Sequence, residues 1–342
     1  MGHSVNIRVH GRGNAWPVML GEEHPFYDRK DYRDLSNAAF SLEVYEKGSL
    51  LAEVLVDAGH GTVQSLISGP NRIPHCICLT HGHMDHTLGV DWVVQSHTRR
   101  QGGRERYPVY ASHPVYHLLI LSYPQLESLT EHRELLPGEP VSLEVPGRVV
   151  VRAYPVYHGP HASGASMLLF ETAGKKILFT GDLITPLLRE EDYAELEDVD
   201  LVVVDSNNRF PWPRTNHWSF SGHPERPMER AGPLLDFLEK MDPHDFTDLH
   251  EMPAHAVTGP YLDTVRKQWD PVRQPFTLLE FVQRIRPGRV ALVHYSGSED
   301  ERHYGLPRLS ATELLDWALK TSAAAGGRAA FHIPAAGENL VP

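Results

Sequence analysis

LTHGHMDHTLG, Leu79 to Gly89, carries four side chains of the metal-binding kind (His81, His83, Asp85 and His86) within six consecutive positions. The short β-prone run HCICLT (His75–Thr80) leads into it, and LGVDWVVQSH after it has apolar residues at helical spacing. The cluster therefore sits on a strand-to-helix loop. In such a loop, H-x-H-x-D-H spacing lets positions one and three turn onto one ion while Asp85 and His86 face a neighbouring site. Gly82 suits the tight turn this requires. A polar surface turn is the plainer alternative in a chain with 22 histidines, but it does not call for this density of ligands.

Outward from the loop, the chain reads as strands and helices in both halves. VNIRV near the start and the alternating run AAFSLEVYEKGSLLAEVLVDAG predict strands, the latter a hairpin turning at Lys47-Gly48. QSLISG predicts a short helix, and VYASHPVYHLLILSY a strand entering a helix. Downstream, VVVRAYPVYHG predicts a strand ending at His158, MLLFETAGKKILFTGD a pair of strands ending at Asp182, and DLVVVDSN a buried strand. AGPLLDFLEKM, FTLLEFVQRI and TELLDWALK read as helices, and RVALVHYSGSED as a strand ending at His294. Residues from about 206 to 275, rich in Pro, Trp and His, break the rhythm and read as an insertion or lid within a single domain spanning 1–342.

Composition bounds the function. With 342 residues, 41% hydrophobic and 22% charged, the chain has the balance of a globular protein, with no run of the roughly 20 apolar residues that spans a membrane. The first residues lack the apolar core of a secretory signal, so a cytoplasmic location is expected. Cys76 and Cys78, the two cysteines present, exclude a disulfide framework. A net charge of −12 argues against holding long nucleic acid by counterion release and leaves room for a small anionic ligand.

The H-x-H-x-D-H loop resembles the signature of the metallo-β-lactamase superfamily. The resemblance implies an α/β fold, an αββα sandwich of two mixed β-sheets flanked by helices. It also implies three further ligands at strand ends, which His158, Asp182 and His294 supply in order. One divalent ion would then take His81, His83 and His158, the other Asp85, His86 and His294, with Asp182 bridging. Nitrogen-rich donors with a carboxylate bridge suit Zn²⁺, with Mn²⁺ and Fe²⁺ as alternatives. Two ions roughly 3.5–4 Å apart hold a bridging hydroxide as nucleophile and clamp a phosphodiester. Asp85 would then have a second, catalytic role in orienting that nucleophile or taking its proton.

GRGNAWP, DAGHGTVQSL (Asp57–Leu66) and HYSGSED look like elements of the ribonuclease Z and cyclic phosphodiesterase branch. Residues 159–181 leave room for one hairpin where ribonuclease Z carries its tRNA-gripping arm, so a cyclic nucleotide or related small phosphodiester is the expected substrate. The branch uses a further histidine as leaving-group proton donor, about twenty residues before the last ligand, where this chain has VRQPFTLL. His217 is the first candidate for that role and His255 the second. The branch's acid-glutamate motif is replaced by Asp205-Ser206-Asn207. In RFPWPRTNHW (Arg209–Trp218) the aromatics read as a stacking lid with Arg209 or Arg214 meeting phosphate, or as a rigid surface loop or a contact surface of the homodimer common in the family. The basic run HTRRQGGRER (His97–Arg106) reads as a solvated loop. A lactone, β-lactam or carboxylic-ester hydrolase, and a non-catalytic nucleotide sensor, are the alternative functions.

Overall fold

The alternating run at Ala38–Gly59 folds as a hairpin of β2 (Ala39–Glu46) and β3 (Ser49–Val56), paired antiparallel. Its turn places Lys47 at φ 51° and Gly48 at φ 82°, the left-handed pair that matches strand twist. The computed structural model that contains it describes residues 2–159, 162–211, 217–222, 275 and 277–342. β1 (His3–Gly11) and β15 (Asn339–Leu340) extend the hairpin on one side, and β4 (Cys76–Cys78), β5 (Tyr107–Ala111) and β6 (Thr130–Glu134) on the other. The β3–β4–β5–β6 pairings are parallel, so the sheet is mixed.

The second half repeats the plan. β8 (Val149–Tyr157), β9 (Ser166–Thr172) and β10 (Lys175–Phe179) form an antiparallel meander. Parallel to β10 run β12 (Leu201–Asp205), β13 (Arg289–Val293) and β14 (Ala330–His332). Two short strands, β7 (Pro140–Ser142) and β11 (Thr185–Pro186), pair with β8.

The sheets pack face to face through Val9, Phe40, Val54, Val56 and Cys78 from one and Val151, Phe170, Ile177, Phe179 and Val203 from the other. Outside the first sheet, Leu55, Ile77 and Val109 lie under α1 (Thr62–Ser68), α3 (Val90–Arg100) and α4 (His113–Ser122). Outside the second, Leu178, Val202 and Val204 lie under α6 (Glu190–Leu196), α7 (Leu278–Ile285) and α9 (Ala311–Ala324). The unbroken apolar run of β12 follows from this: alternate residues serve the inter-sheet core and the helix-covered face, so none is left for solvent. The layers are the expected αββα sandwich.

Strands β8, β10, β12 and β13 share one direction, so their C-terminal ends line one rim of the second sheet. His158, Asp182, Asp205 and His294 stand at or just beyond those ends, and His81–His86, around the short helix α2 (Met84–Thr87), follow the end of β4. Of the segment expected as an insertion or lid, the described parts are anchored rather than loose. Asn208 bridges to Ser219, and Trp218 and Phe220 are buried in the core beneath α7 and α9. His255, Arg214 and the helix expected at 231–241 lie outside the described residues.

Candidate metal centre

His81, His83 and His158 bring three ring nitrogens within 4.8 Å of one another, and Asp85, His86, Asp182 and His294 form a second such group beside them. In the second, His86 Nε2 lies 3.3 Å from Asp182 Oδ1 and 3.4 Å from Asp85 Oδ2, while His294 Nε2 lies 3.1 Å from Asp182 Oδ2 and 3.5 Å from Asp85 Oδ2. Donors arranged tetrahedrally about a cation at about 2.1 Å are roughly 3.4 Å apart, so these separations are those of a ligand shell. Asp182 Oδ2 also faces His81 Nε2 at 3.9 Å and His158 Nε2 at 3.8 Å, which puts this carboxylate between the two groups.

His158 Nε2 and His83 Nδ1 are hydrogen-bonded at 3.2 Å, but other inward-facing nitrogens are buried without a partner. His81 Nε2, His86 Nε2 and His294 Nε2 each lack a partner. Orphaned buried nitrogens are costly in a folded protein, and their convergence on the same carboxylates is what a cation site requires. The residues present therefore fit a pair of divalent ions.

A second layer of contacts orients these rings. Asp57 Oδ2 accepts from His86 Nδ1 (2.8 Å) and from the Thr80 hydroxyl (2.7 Å), while its Oδ1 accepts from the Thr80 amide (2.8 Å). A carboxylate behind a histidine in this way fixes the tautomer and aims Nε2 inward. Asp57 at φ 57° and His294 at φ 64° both sit in the left-handed region, where non-glycine residues are strained by about 1–3 kcal/mol. His294 is held there by its amide, which donates to Arg12 O at 2.7 Å. Gly59 admits the ligand loop, since a Cβ there would come within 1.7 Å of Asp85 O.

The charges are strongly coupled. Burial opposes protonation of His294, but Asp182 and Asp205 outweigh it and push the pKa up to about 10. His86 is likewise raised well above its ordinary value, burial being overcome by Asp182, Asp85 and Asp57. Burial disfavours the charged forms of Asp85 and Asp182 too, yet the facing histidines hold both well below the usual carboxylate range. His158, by contrast, is driven down to about 3 by burial and by His217.

His217, whose ring is nearly buried, joins the rim beside this centre. Its Nδ1 donates to Asp205 Oδ2 at 2.9 Å and lies 3.8 Å from Asp182 Oδ2. Asp205, fully buried, also faces His294 Nδ1 at 3.6 Å. In sequence Asp205 reads only as a substitution in the acid-glutamate motif; in space its carboxylate backs the candidate proton donor, and the signal was its position at the end of a buried strand. The expectation that Arg209 meets phosphate is corrected. Its guanidinium is turned inward, with Nε 3.2 Å from Asp300 Oδ2 and Nη2 donating to Pro307 O at 2.8 Å.

Comparison with known proteins places the fold. A family described as "Beta-lactamase superfamily domain" matches residues 52–235, more than half of the chain and most of the donor set. The chain belongs to the beta-lactamase superfamily. Its relatives within that superfamily are metal-dependent hydrolases. Endoribonuclease YSH1 of Mycosarcoma maydis is 28% identical over 147 residues, covering 38% of this chain but only 16% of that protein. The chain thus spans well under a quarter of this curated relative. Among solved structures, a diphosphatase of the PhnP family superposes with a TM-score of 0.59 at 15% identity, over 98% of this chain and 97% of that one. Human short-form tRNase Z superposes at 0.52 and 14% identity, over 98% and 99%. At such identities the likeness is one of fold.

Proposed function

We propose that this metal-dependent hydrolase cleaves phosphodiester bonds, with a cyclic nucleotide or similarly small phosphodiester as substrate and a pair of Zn²⁺ ions as cofactor. The observation that carries the reading is the Asp205–His217 pair beside Asp182, which belongs to the Asp85–His86–His294 group and approaches His81 and His158 at 3.9 and 3.8 Å. Phosphodiester cleavage expels an alkoxide, a poor leaving group that needs a proton as the bond breaks. With Nδ1–H committed to Asp205, exchange of a proton with substrate falls to Nε2 of His217. The buried Asp205 carboxylate holds the ring in the orientation that presents Nε2.

Bound divalent ions would supply a water made acidic enough to attack near neutral pH and positive charge for the phosphoryl oxygens. Asp85, kept ionised by His86 and His294, accepts a hydrogen bond from the attacking water and orients it. The His86 ring is held by Asp57, and His158 and His294 follow directly on β8 and β13, so these parts of the site need little rearrangement on binding substrate.

A second reading, cleavage of RNA, is favoured by the ribonuclease names of YSH1 and tRNase Z. The net charge of −12 weighs against a long RNA. Purified zinc- or manganese-loaded enzyme assayed on bis(p-nitrophenyl) phosphate, cyclic AMP and a single-stranded oligoribonucleotide separates the two. Turnover of the first two supports a small phosphodiester, and preference for the oligonucleotide supports RNA. Activity confined to lactones or β-lactams would overturn both.

A further inference from the structure

The described residues leading from β12 toward the proton donor are held by a buried carboxylate that belongs to neither donor group. Asp300, in α8 (Ser298–Tyr304), is completely buried. Its Oδ2 accepts from the Arg209 amide (2.8 Å) and from Arg209 Nε (3.2 Å), and its Oδ1 accepts from the Phe210 amide (3.2 Å). Four residues upstream of Arg209, β12 ends at Asp205, the partner of His217.

The returning end is tied to the outgoing one. Phe220 N–H donates to Asn208 O at 2.8 Å and Ser221 N–H to Arg209 O at 2.9 Å, so the backbone that Asp300 grips is also the backbone against which residues 219–221 are registered. His217 precedes this register by two residues. Beside it, Trp218 packs against Phe281 with the rings tilted at 56° and their centres 5.1 Å apart. The same α8 segment begins just past His294, and the amides of Ser296 and Gly297 donate to Asn207 O at 3.2 and 2.8 Å. Asp300 thus couples the element carrying the last metal-centre histidine to the element carrying the proton donor.

We propose that Asp300, acting through Arg209 and the amides of residues 209 and 210, is the positioning residue that sets His217 against Asp205. This rests on the reading of His217 as proton donor. A surface salt bridge would have little influence, but here a buried carboxylate satisfies three donors at once, and its loss frees the whole stem. Catalytic groups displaced by about 1 Å lose roughly a hundredfold in rate, so a device that fixes the stem is expected to appear in the chemistry as well as in the fold.

The test uses the full-length, zinc-loaded chain and Asp300→Asn. Two readouts are taken: the low-field proton resonance of His217 Nδ1–H, assigned by its absence from His217→Ala, and the rates on bis(p-nitrophenyl) phosphate and on cyclic AMP. p-Nitrophenolate leaves without protonation, whereas the ribose alkoxide does not. The expected result is loss or broadening of the resonance and a fall on cyclic AMP exceeding that on the nitrophenyl ester by roughly tenfold or more, with zinc content unchanged. An intact resonance with both rates equal to wild type would overturn the proposal. Should Asp300→Asn fail to fold because it strands the Arg209 charge, the charge-neutral Arg209→Met/Asp300→Asn pair takes its place under the same criteria. If wild type turns over no phosphodiester, the functional reading fails while the resonance still decides whether Asp300 positions His217.

Discussion

Replacing Asp182 by Asn removes one charge and one shared donor from the middle of the site while keeping the side chain's volume. Asp182 Oδ1 lies 3.3 Å from His86 Nε2, and Oδ2 lies 3.1 Å from His294 Nε2, 3.8 Å from His158 Nε2 and 3.9 Å from His81 Nε2. It belongs to the group with Asp85, His86 and His294 and lies within 3.9 Å of His81 and His158, so it is proposed as a ligand shared by both ions. Four-ligand zinc sites form with apparent free energies of about 10–16 kcal/mol, or roughly 2.5–4 kcal/mol per ligand. Losing that share at each ion predicts affinities weaker by roughly two to three orders of magnitude. The amide oxygen of Asn retains some donor strength, which puts the expectation toward the lower end. Zinc should be titrated against a chelator of known affinity, with bound metal counted by mass spectrometry after dialysis and folding followed by circular dichroism. A folded Asp182→Asn protein that keeps two ions at wild-type affinity would refute the shared-ligand role.

Removing the second layer should act more gently: Asp57→Asn is expected to weaken the ion held by His86 by about 10–100-fold, measured in the same chelator titration, and an unchanged affinity would show that His86 needs no orienting partner. For His217→Ala the rate on an ester with an alkoxide leaving group should drop by about 10²–10⁴-fold while bis(p-nitrophenyl) phosphate is far less affected; equal losses on both would point to a structural defect. A pH effect is expected away from the metal centre, at His10, which is buried between Ser41 and Ser65 and depressed to about 3 by burial and by Arg8. Because the folded pKa lies below the unfolded value of about 6.5, the fold is favoured by neutral imidazole. That advantage is complete above about pH 6.5 and shrinks as pH falls toward 3, by about 2 kcal/mol at pH 5. Urea unfolding at pH 7.5 and 5 should show a smaller acid loss for His10→Gln than for wild type, and identical losses would discount His10.

The parts legible in the sequence were those where one physical rule acts alone. Hydrophobic alternation gave the β2–β3 hairpin and β8–β10, and ligand residues placed directly after apolar runs gave His158, Asp182 and His294, since a strand end is where a side chain can leave the core and still be held rigidly. β6, β14 and β15 were not read. Their sequences are short and mixed in polarity, because edge strands have partners on one side only and need no apolar signature.

At the site, the metal-type residues could be read because their chemistry is specific to them. Partner choice could not. Nothing in RFPWPRTNHW says that Arg209 turns inward to Asp300 some ninety residues away, since an arginine's destination depends on which buried carboxylate its neighbours bring within reach. The role of Asp205 was hidden for the same reason: an aspartate ending a strand declares its depth, and only the return of Ser219 to Asn208 brings His217 to it.

Side chains from four separate strand ends, those of β4, β8, β10 and β13, are proposed to enclose two cations that share one carboxylate. Anomalous diffraction from zinc-loaded crystals, recorded on both sides of the zinc absorption edge, addresses it directly. The account predicts two peaks roughly 3.5–4 Å apart, one among His81, His83 and His158, the other among Asp85, His86 and His294, with Asp182 touching both. A single peak, a pair away from Asp182, or no anomalous signal in fully loaded protein would contradict it.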